Sequence, residues 1–239
     1  MTFTKVEQEL SSNDCCQKLT VVAFHTKDVL YEQEAKRMKA SADRLQIPVF
    51  IEVFESKGDW VKNAAIKASF LQKMREAIRG PILYVDVDAV FHEDPRDYLL
   101  MLSDCDLAVH FDCKDDHLMS GTMLINDTPE ASALMQEWVT YCHENPEAWD
   151  QKALEIILEQ HPEYRCHKLP VVFCWVFDRE YNFTRNEGLP IYIEHLQASR
   201  SAKKPNSLWK RLFKKNKSLD RREKRLREIE ALLNRSDCT

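Results

Sequence analysis

The sequence predicts an α/β domain with a mostly parallel central sheet and helices on both faces. Three observations predict it. Short, β-prone apolar runs alternate with longer segments whose apolar residues recur at helical spacing. Hydrophobic residues make up 44% of the chain and aromatics 10%, which supplies a large core and excludes global disorder. A length of 239 residues holds one full α/β domain and hardly two.

The elements follow in order. Residues 19–26, rich in Val and Thr, read as a first buried strand. Residues 30–45, rich in Ala, Glu, Lys and Met, predict a helix. Residues 48–54 form a second strand, and residues 60–77 carry apolar side chains at helical spacing. Residues 82–87 form the third strand, 95–103 a short helix and 107–111 a fourth strand. Residues 120–126 form a strand that carries Gly121, one of only four glycines. A helix over 129–142 follows, capped by Asp127 or Thr128 with Pro129 at its first position. Another helix spans 149–160, and 169–175 and 191–196 are later short strands. No internal repeat is present.

Several function classes are excluded at once. No apolar run approaches the length of a membrane span. The first residues lack the apolar core of a signal peptide, so the expected location is cytoplasmic, at most peripheral at a membrane. The eight cysteines form no Cys-x-x-Cys pair, which argues for reduced, mostly buried thiols over a structural zinc site. No Gly-rich phosphate loop appears, which disfavours P-loop and dinucleotide-binding folds.

The stretch Tyr84-Val85-Asp86-Val87-Asp88 carries the chemistry. Two carboxylates end an apolar strand, and an unpartnered buried carboxylate is very costly. A divalent cation is a fitting partner, because Mg²⁺ and Mn²⁺ take hard oxygen ligands from carboxylates and from substrate phosphates. Open α/β sheets place such ligands at the C-terminal ends of their strands. Asp-x-Asp pairs elsewhere are mostly solvated turns. Here the flanks are apolar and carry no Gly, Asn or Ser, so a strand through residue 87 is expected.

Four segments recur in one order: residues 84–88, Ser120-Gly121 with 122–126, Asp150-Gln151 with their flanks, and residues 193–200 around His195. In this order the chain resembles glycosyltransferases of the GT-A fold, the nucleotide-diphospho-sugar transferases, in their bacterial galactosyltransferase and glycogenin-like branch. The resemblance implies a single GT-A (Rossmann-like) domain over residues 1–204, followed by a basic C-terminal helical extension over 205–239. It implies that Asp86, Asp88 and His195 hold Mn²⁺ or Mg²⁺, with Asp86 also near the ribose of the donor. It implies a nucleoside contact at His25 and Thr26, and a basic residue, Lys67, beside the nucleotide sugar. Ser120 and Gly121 match the donor-sugar loop, although the family has Asn where Ser120 stands. Asp150 and Gln151 match the sugar-facing catalytic pair. As a simple alternative, Asp150 caps its helix. Arg200 or Lys203 would meet the diphosphate, although Ala198 stands where the family has Gly.

The implied activity is metal-dependent transfer of a sugar from a nucleotide-diphosphate donor, a UDP-sugar first, to an acceptor hydroxyl, with retention. Alternatives are a phage-type DNA-modifying glycosyltransferase acting on hydroxylated bases and an inactive nucleotide-sugar-binding module. A phosphatase or nucleotidyltransferase would also use paired aspartates, but the Asp150-Gln151 and His195 segments argue against it.

The net charge of −5 hides an asymmetry. Residues 199–239 carry 14 Lys/Arg against 5 Asp/Glu, and the rest of the chain is acidic. Within this tail Trp209 and Phe213 stand four apart among cations, the pattern of an interfacial helix. Leu219, Leu226, Ile229 and Leu233 then make a short apolar seam, with Ser218 as N-cap. The tail fits contact with DNA, contact with an anionic membrane, or self-association as a homodimer. It fits equally a helix packed on its own domain with a solvated basic face.

Overall fold

The computed structural model describes residues 18–55, 60–179, 188–202 and 217–236. Strands β1 (Thr20–Thr26), β2 (Val49–Phe54) and β3 (Ile82–Val85) run parallel, with β1 between the other two. Between them lie α1 (Val29–Arg44) and α2 (Trp60–Ala77). Then β6 (Leu118–Ile125) pairs antiparallel to β3, and β5 (Leu107–Phe111) pairs antiparallel to β6. A short β7 (Cys166–Lys168) joins β5 in parallel. The sheet order is β2-β1-β3-β6-β5-β7, so only β6 runs against the rest. The expectation of a mostly parallel α/β sheet is met.

Helices cover both faces, as the alternating pattern required. On one face Met38 and Ala42 of α1 pack on Val21, Ala23, Leu83 and Val85. On the other, Phe70, Leu71 and Met74 of α2 pack on Val22, Ile82 and Tyr84. There they meet α4 (Pro129–Glu144) and α5 (Asp150–Gln160) through Leu134, Trp138 and Leu154. Burial on both faces explains why β3 is unbroken apolar sequence. Thr128 caps α4 by accepting from the Ala131 amide, with Pro129 at the first position.

A second sheet was not expected. It is small: β4 (Ala89–Phe91), β9 (Ile193–His195) and β8 (Trp175–Val176), in the order β4-β9-β8. The strand expected over 82–87 therefore ends at Val85. Residues Asp86-Val87-Asp88 turn the chain from the large sheet into the small one, with the Ala89 amide bonding the Asp86 carbonyl at 3.0 Å. Asp86 stands at the first position of this turn, where Asp is favoured. Its backbone groups are also claimed from both sides: the Asp86 amide donates to Gly121 O at 2.8 Å, and Leu196 N donates to Asp88 O at 2.9 Å. Residues 169–175, read as one strand, are divided: Val171–Phe173 form a 3-10 turn in which the Phe173 amide bonds Pro170 O, and Trp175 opens β8. The short helix α3 is Arg96–Leu100, trimmed at both ends.

The C-terminal helix α7 (Lys217–Ser236) packs on the body. Ile229 is buried against Val90 and Leu196, with Leu226 and Leu233 beside it. Of the readings of the tail, residues 217–236 follow the packed helix. Ser218 is not an N-cap, because the helix begins one residue earlier and its hydroxyl accepts from Arg200 at 3.2 Å. The Trp209/Phe213 pair lies outside the described residues. Among the described residues no helix is long and apolar enough to cross a membrane. The five described cysteines are free thiols, three of them buried.

A candidate active site at the C-terminal edge of the sheet

Parallel β1 and β3 end on the same edge of the sheet. Because β6 is antiparallel, its N-terminal half lies beside the C-terminal end of β3, with Thr122 opposite Val85. The β5–β6 register jumps there: Val109 faces Met123, whereas His110 faces Met119. Residues 120–122 thus have no opposite number on β5, an irregularity of the kind that re-aims side chains beside active sites. They are aimed at the Asp86 turn instead.

Lys67, from α2, is the hub. Its Nζ lies 3.1 Å from Asp86 Oδ1 and 3.3 Å from Asp150 Oδ2. It also donates to Ser120 O at 3.3 Å and to Ser120 Oγ at 3.1 Å. The Tyr84 ring lies 5.2 Å beneath the ammonium, and Tyr84 OH donates to Asp86 Oδ1 at 2.6 Å. Burial acts to lower the lysine pKa, but Asp86 and Asp150 override it and raise it, so the cation persists at every physiological pH. Asp150 is not the cap of its helix: Trp149 occupies that position, and the Asp150 carboxylate is spent on Lys67. Next to it, Gln151 Oε1 accepts from the Ser120 amide at 3.4 Å.

Asp88 and His195 complete the cluster. One ligand atom from each of Asp86, Asp88 and His195 lies within 4.8 Å of the others. His195 is buried, with Nε2 2.9 Å from Thr122 Oγ1 and Nδ1 3.9 Å from Asp88 Oδ1. Burial works against its charge, yet Cys174 and Asp88 raise its pKa to about 10. Asp88 is held below the usual carboxylate range despite its burial, by His195 and by the Ala198 amide, which donates to Oδ2 at 2.7 Å. Tyr31, in the first turn of α1, is pushed up to about 12 by burial, then by Asp88, Asp28 and Asp86.

The residues fit a divalent cation. Two carboxylates and an imidazole suit Mn²⁺. The approach between them depends on Gly121 having no side chain: a Cβ there would stand 2.9 Å from His195 Cε1 and 3.4 Å from Asp86 Oδ2. Two carboxylates, Asp86 and Asp150, flank Lys67, and a third, Asp88, stands with His195.

The structure thus brings together Lys67, Asp86, Asp88, Ser120, Gly121, Asp150, Gln151 and His195. His25 and Thr26 sit at the end of β1, and both bond locally: His25 Nδ1 to Thr26 O at 2.9 Å, Thr26 Oγ1 to Asp28 at 3.2 Å. Arg200 is not in the cluster. Its guanidinium grips both Asp178 oxygens, at 2.6 and 3.0 Å. Lys203 lies outside the described residues. Sequence reasoning missed Tyr84, Thr122 and Tyr31. Tyr84 and Thr122 lie inside segments already singled out, one strand residue from a named side chain.

The comparisons with known proteins agree with this geometry. The sequence matches the nucleotide-diphospho-sugar transferase family over residues 16–205. No curated protein matches the chain. Among solved structures, a glycosyltransferase involved in glycosylation of the major capsid of PBCV-1 superimposes with a TM-score of 0.59 at 11% identity, over 77% of this chain and 96% of that one. The glycosyltransferase GlyE of Streptococcus pneumoniae TIGR4 gives 0.53 at 18% identity, over 74% of this chain and 55% of that one. With the family matched over most of its length, and with this fold, the chain belongs to the nucleotide-diphospho-sugar transferases and is a glycosyltransferase of the GT-A type.

Proposed function

We propose that the protein is a metal-dependent transferase that moves a sugar from a nucleotide-diphosphate donor, a UDP-sugar first, to an acceptor hydroxyl with retention. One observation carries this: Asp86, Asp88 and His195 converge within 4.8 Å at the strand edge that also presents Lys67 and Asp150. These three residues would hold Mn²⁺. Bound there, the cation would neutralise the donor's diphosphate and make it a better leaving group.

The chain's own groups do the rest. Lys67 fixes the Asp86 and Asp150 carboxylates and keeps the Ser120 segment in place. Asp150 and Gln151 face the sugar, Asp150 by gripping hydroxyls and Gln151 beside the anomeric carbon. Asp150 is held on Lys67 at 3.3 Å, which supports retention over a mechanism in which it would deprotonate the acceptor. The anomeric C–O bond breaks with its electron pair passing to the diphosphate oxygen. The acceptor oxygen bonds to the same face of the anomeric carbon, and its proton passes to that phosphate oxygen. Positive charge building on the sugar in the transition state is stabilised by the surrounding carboxylates.

The test is thermal. Mn²⁺ and uridine diphosphate together should raise the melting midpoint more than the sum of their separate effects, since both bind only the native state. Asp88→Asn should remove the metal-dependent part and leave the fold intact. A variant with the wild-type metal response would refute the assignment.

A further inference from the structure

His195 stands between two residues that are each held by an arginine of α7. Before it, Glu194 receives Arg225 through Nε at 2.8 Å and NH2 at 2.7 Å, with His92 also on the carboxylate at 2.6 Å. After it, the Leu196 carbonyl receives Arg222 Nε at 2.7 Å. Arg222 and Arg225 are three apart, so one helix face carries both. The Arg222 guanidinium is 3% exposed and spreads over three elements. Besides Leu196, its NH1 reaches Ser201 Oγ at 3.0 Å on α6 (Ser199–Ala202), and its NH2 pairs with buried Glu34 of α1. Residues 196–198 in turn close on Asp88 through the Leu196 amide to its carbonyl and the Ala198 amide to its carboxylate. Gln197 between them is held at φ +56°, a conformation that needs support from its surroundings.

We propose that Arg222 is a positioning residue, and that α7 clamps the loop from Leu196 to Ser201, seating Asp88 and His195. The guanidinium never touches the donor. It fixes the carbonyl one residue beyond His195, and the loop amides then fix Asp88. This rests on the metal-site reading for its consequence but not for its geometry. Partners of this kind behind metal ligands typically alter metal affinity or activity by about 10–100-fold when removed. The basic residues of the tail that face the body are therefore part of the site's support, whatever its outer face does. Removing Arg222 does not orphan Glu34, because Arg37 NH1 remains 2.6 Å from it.

The experiment compares the full-length wild type with Arg222→Met, Arg222→Lys and, as a control of matched destabilisation, Leu233→Ala, about two turns beyond Arg225 on the same helix. Amide hydrogen exchange at Leu196 and Ala198 is read without metal, and Mn²⁺ is then titrated at saturating uridine diphosphate by thermal shift. Arg222→Met should speed exchange at both amides about tenfold and raise the Mn²⁺ midpoint by about 10–100-fold. Arg222→Lys should keep the melting temperature, through its pair with Glu34, without restoring either amide, because an ammonium cannot span three acceptors. Leu233→Ala should lower the melting temperature and move neither loop readout. Exchange in Arg222→Met equal to that in Leu233→Ala would overturn the clamp, as would full rescue by lysine. A wild type without any Mn²⁺ response would sink the metal reading, while the exchange data would still decide the clamp.

Discussion

The two ends of β6 hold buried polar groups in opposite conditions. At its C-terminal end Asp106 accepts from Thr128 Oγ1 and Arg165 NH2 on one oxygen, and from Arg165 N and Nε on the other. Asn126 beside it donates to the carbonyls of Leu102 and Cys105, both at 2.7 Å. One acid there has four donors. At the N-terminal end three acids crowd about one lysine and a histidine. The first arrangement is what a fold selected for stability contains, since buried polar groups are satisfied. The second is tolerated only if something else gains from it, and strained or under-neutralised sites are where proteins give up stability for activity. The same strand therefore separates structural from functional burial, and the contrast can be broken by mutation.

The largest effect should come from the crowded end. Asp150→Asn should cut turnover of donor by on the order of a hundredfold or more, spare uridine diphosphate binding, and leave the urea midpoint unchanged or higher. Loss of stability with normal activity per folded molecule would show that Asp150 is a structural acid like Asp106. Next comes the saturated end. Asp106→Ala strands an amide, a hydroxyl and the Arg165 fork, and should cost about 2–3 kcal/mol in urea unfolding with activity per folded molecule retained. Its pH dependence follows from sign. Arg165, with the Arg165 amide and Thr128, holds the Asp106 pKa down against its burial. The stabilisation is therefore full above the unfolded carboxylate value of about 3.9 and is lost as pH falls through the lower folded value. The gap between wild type and Asp106→Ala should narrow below about pH 4. The smallest effect belongs to Gly121→Ala, which forces His195 to move by a few tenths of an ångström. It should cost about 1–2 kcal/mol and weaken the Mn²⁺ response more than it weakens the fold. Equal stability and metal response to wild type would mean that Gly121 does not set the approach of His195 to Asp86.

Much of this was legible in sequence because it rests on local pattern. The large sheet is, since β3 is buried on both faces and reads as one apolar run. Asp86 and Asp88 stood out because they end such a run, whereas Ser120, Gly121 and Asp150 were singled out by the resemblance to the family. The strand at Ile193–His195 was read within 191–196, but its pairing into a second sheet was not, because strands of two or three residues carry no period that announces partners. The turn at Asp86-Val87-Asp88 was missed for a different reason: its apolar flanks read as strand, although Asp itself favours turns and tertiary hydrogen bonds hold both of its sides. Residues 169–175 have the composition of a strand, but only Trp175 is in one, and Val171–Phe173 form a 3-10 turn. Arg222 and Arg225 were hidden in a charge run, which looks the same whether it faces water or clasps two buried glutamates. Arg200 was expected at the diphosphate and instead pairs with Asp178, a partner that nothing local announces.

The pairing of β4 with β9 sets Ala89 opposite His195. The carboxylates and the imidazole are thus neighbours in space and more than a hundred positions apart in the chain. During synthesis both aspartates leave the ribosome long before the histidine, and the arginines of α7 follow later still. A growing chain can lay down β1, α1, β2, α2 and β3 in order, each against the one before. Its ligand set cannot assemble until that long loop closes. The Asp86, Asp88 and His195 cluster is therefore complete only late in the growth of the chain. A chain ending near residue 217 would hold all three of its residues but lack the Arg222 contact to Leu196 O.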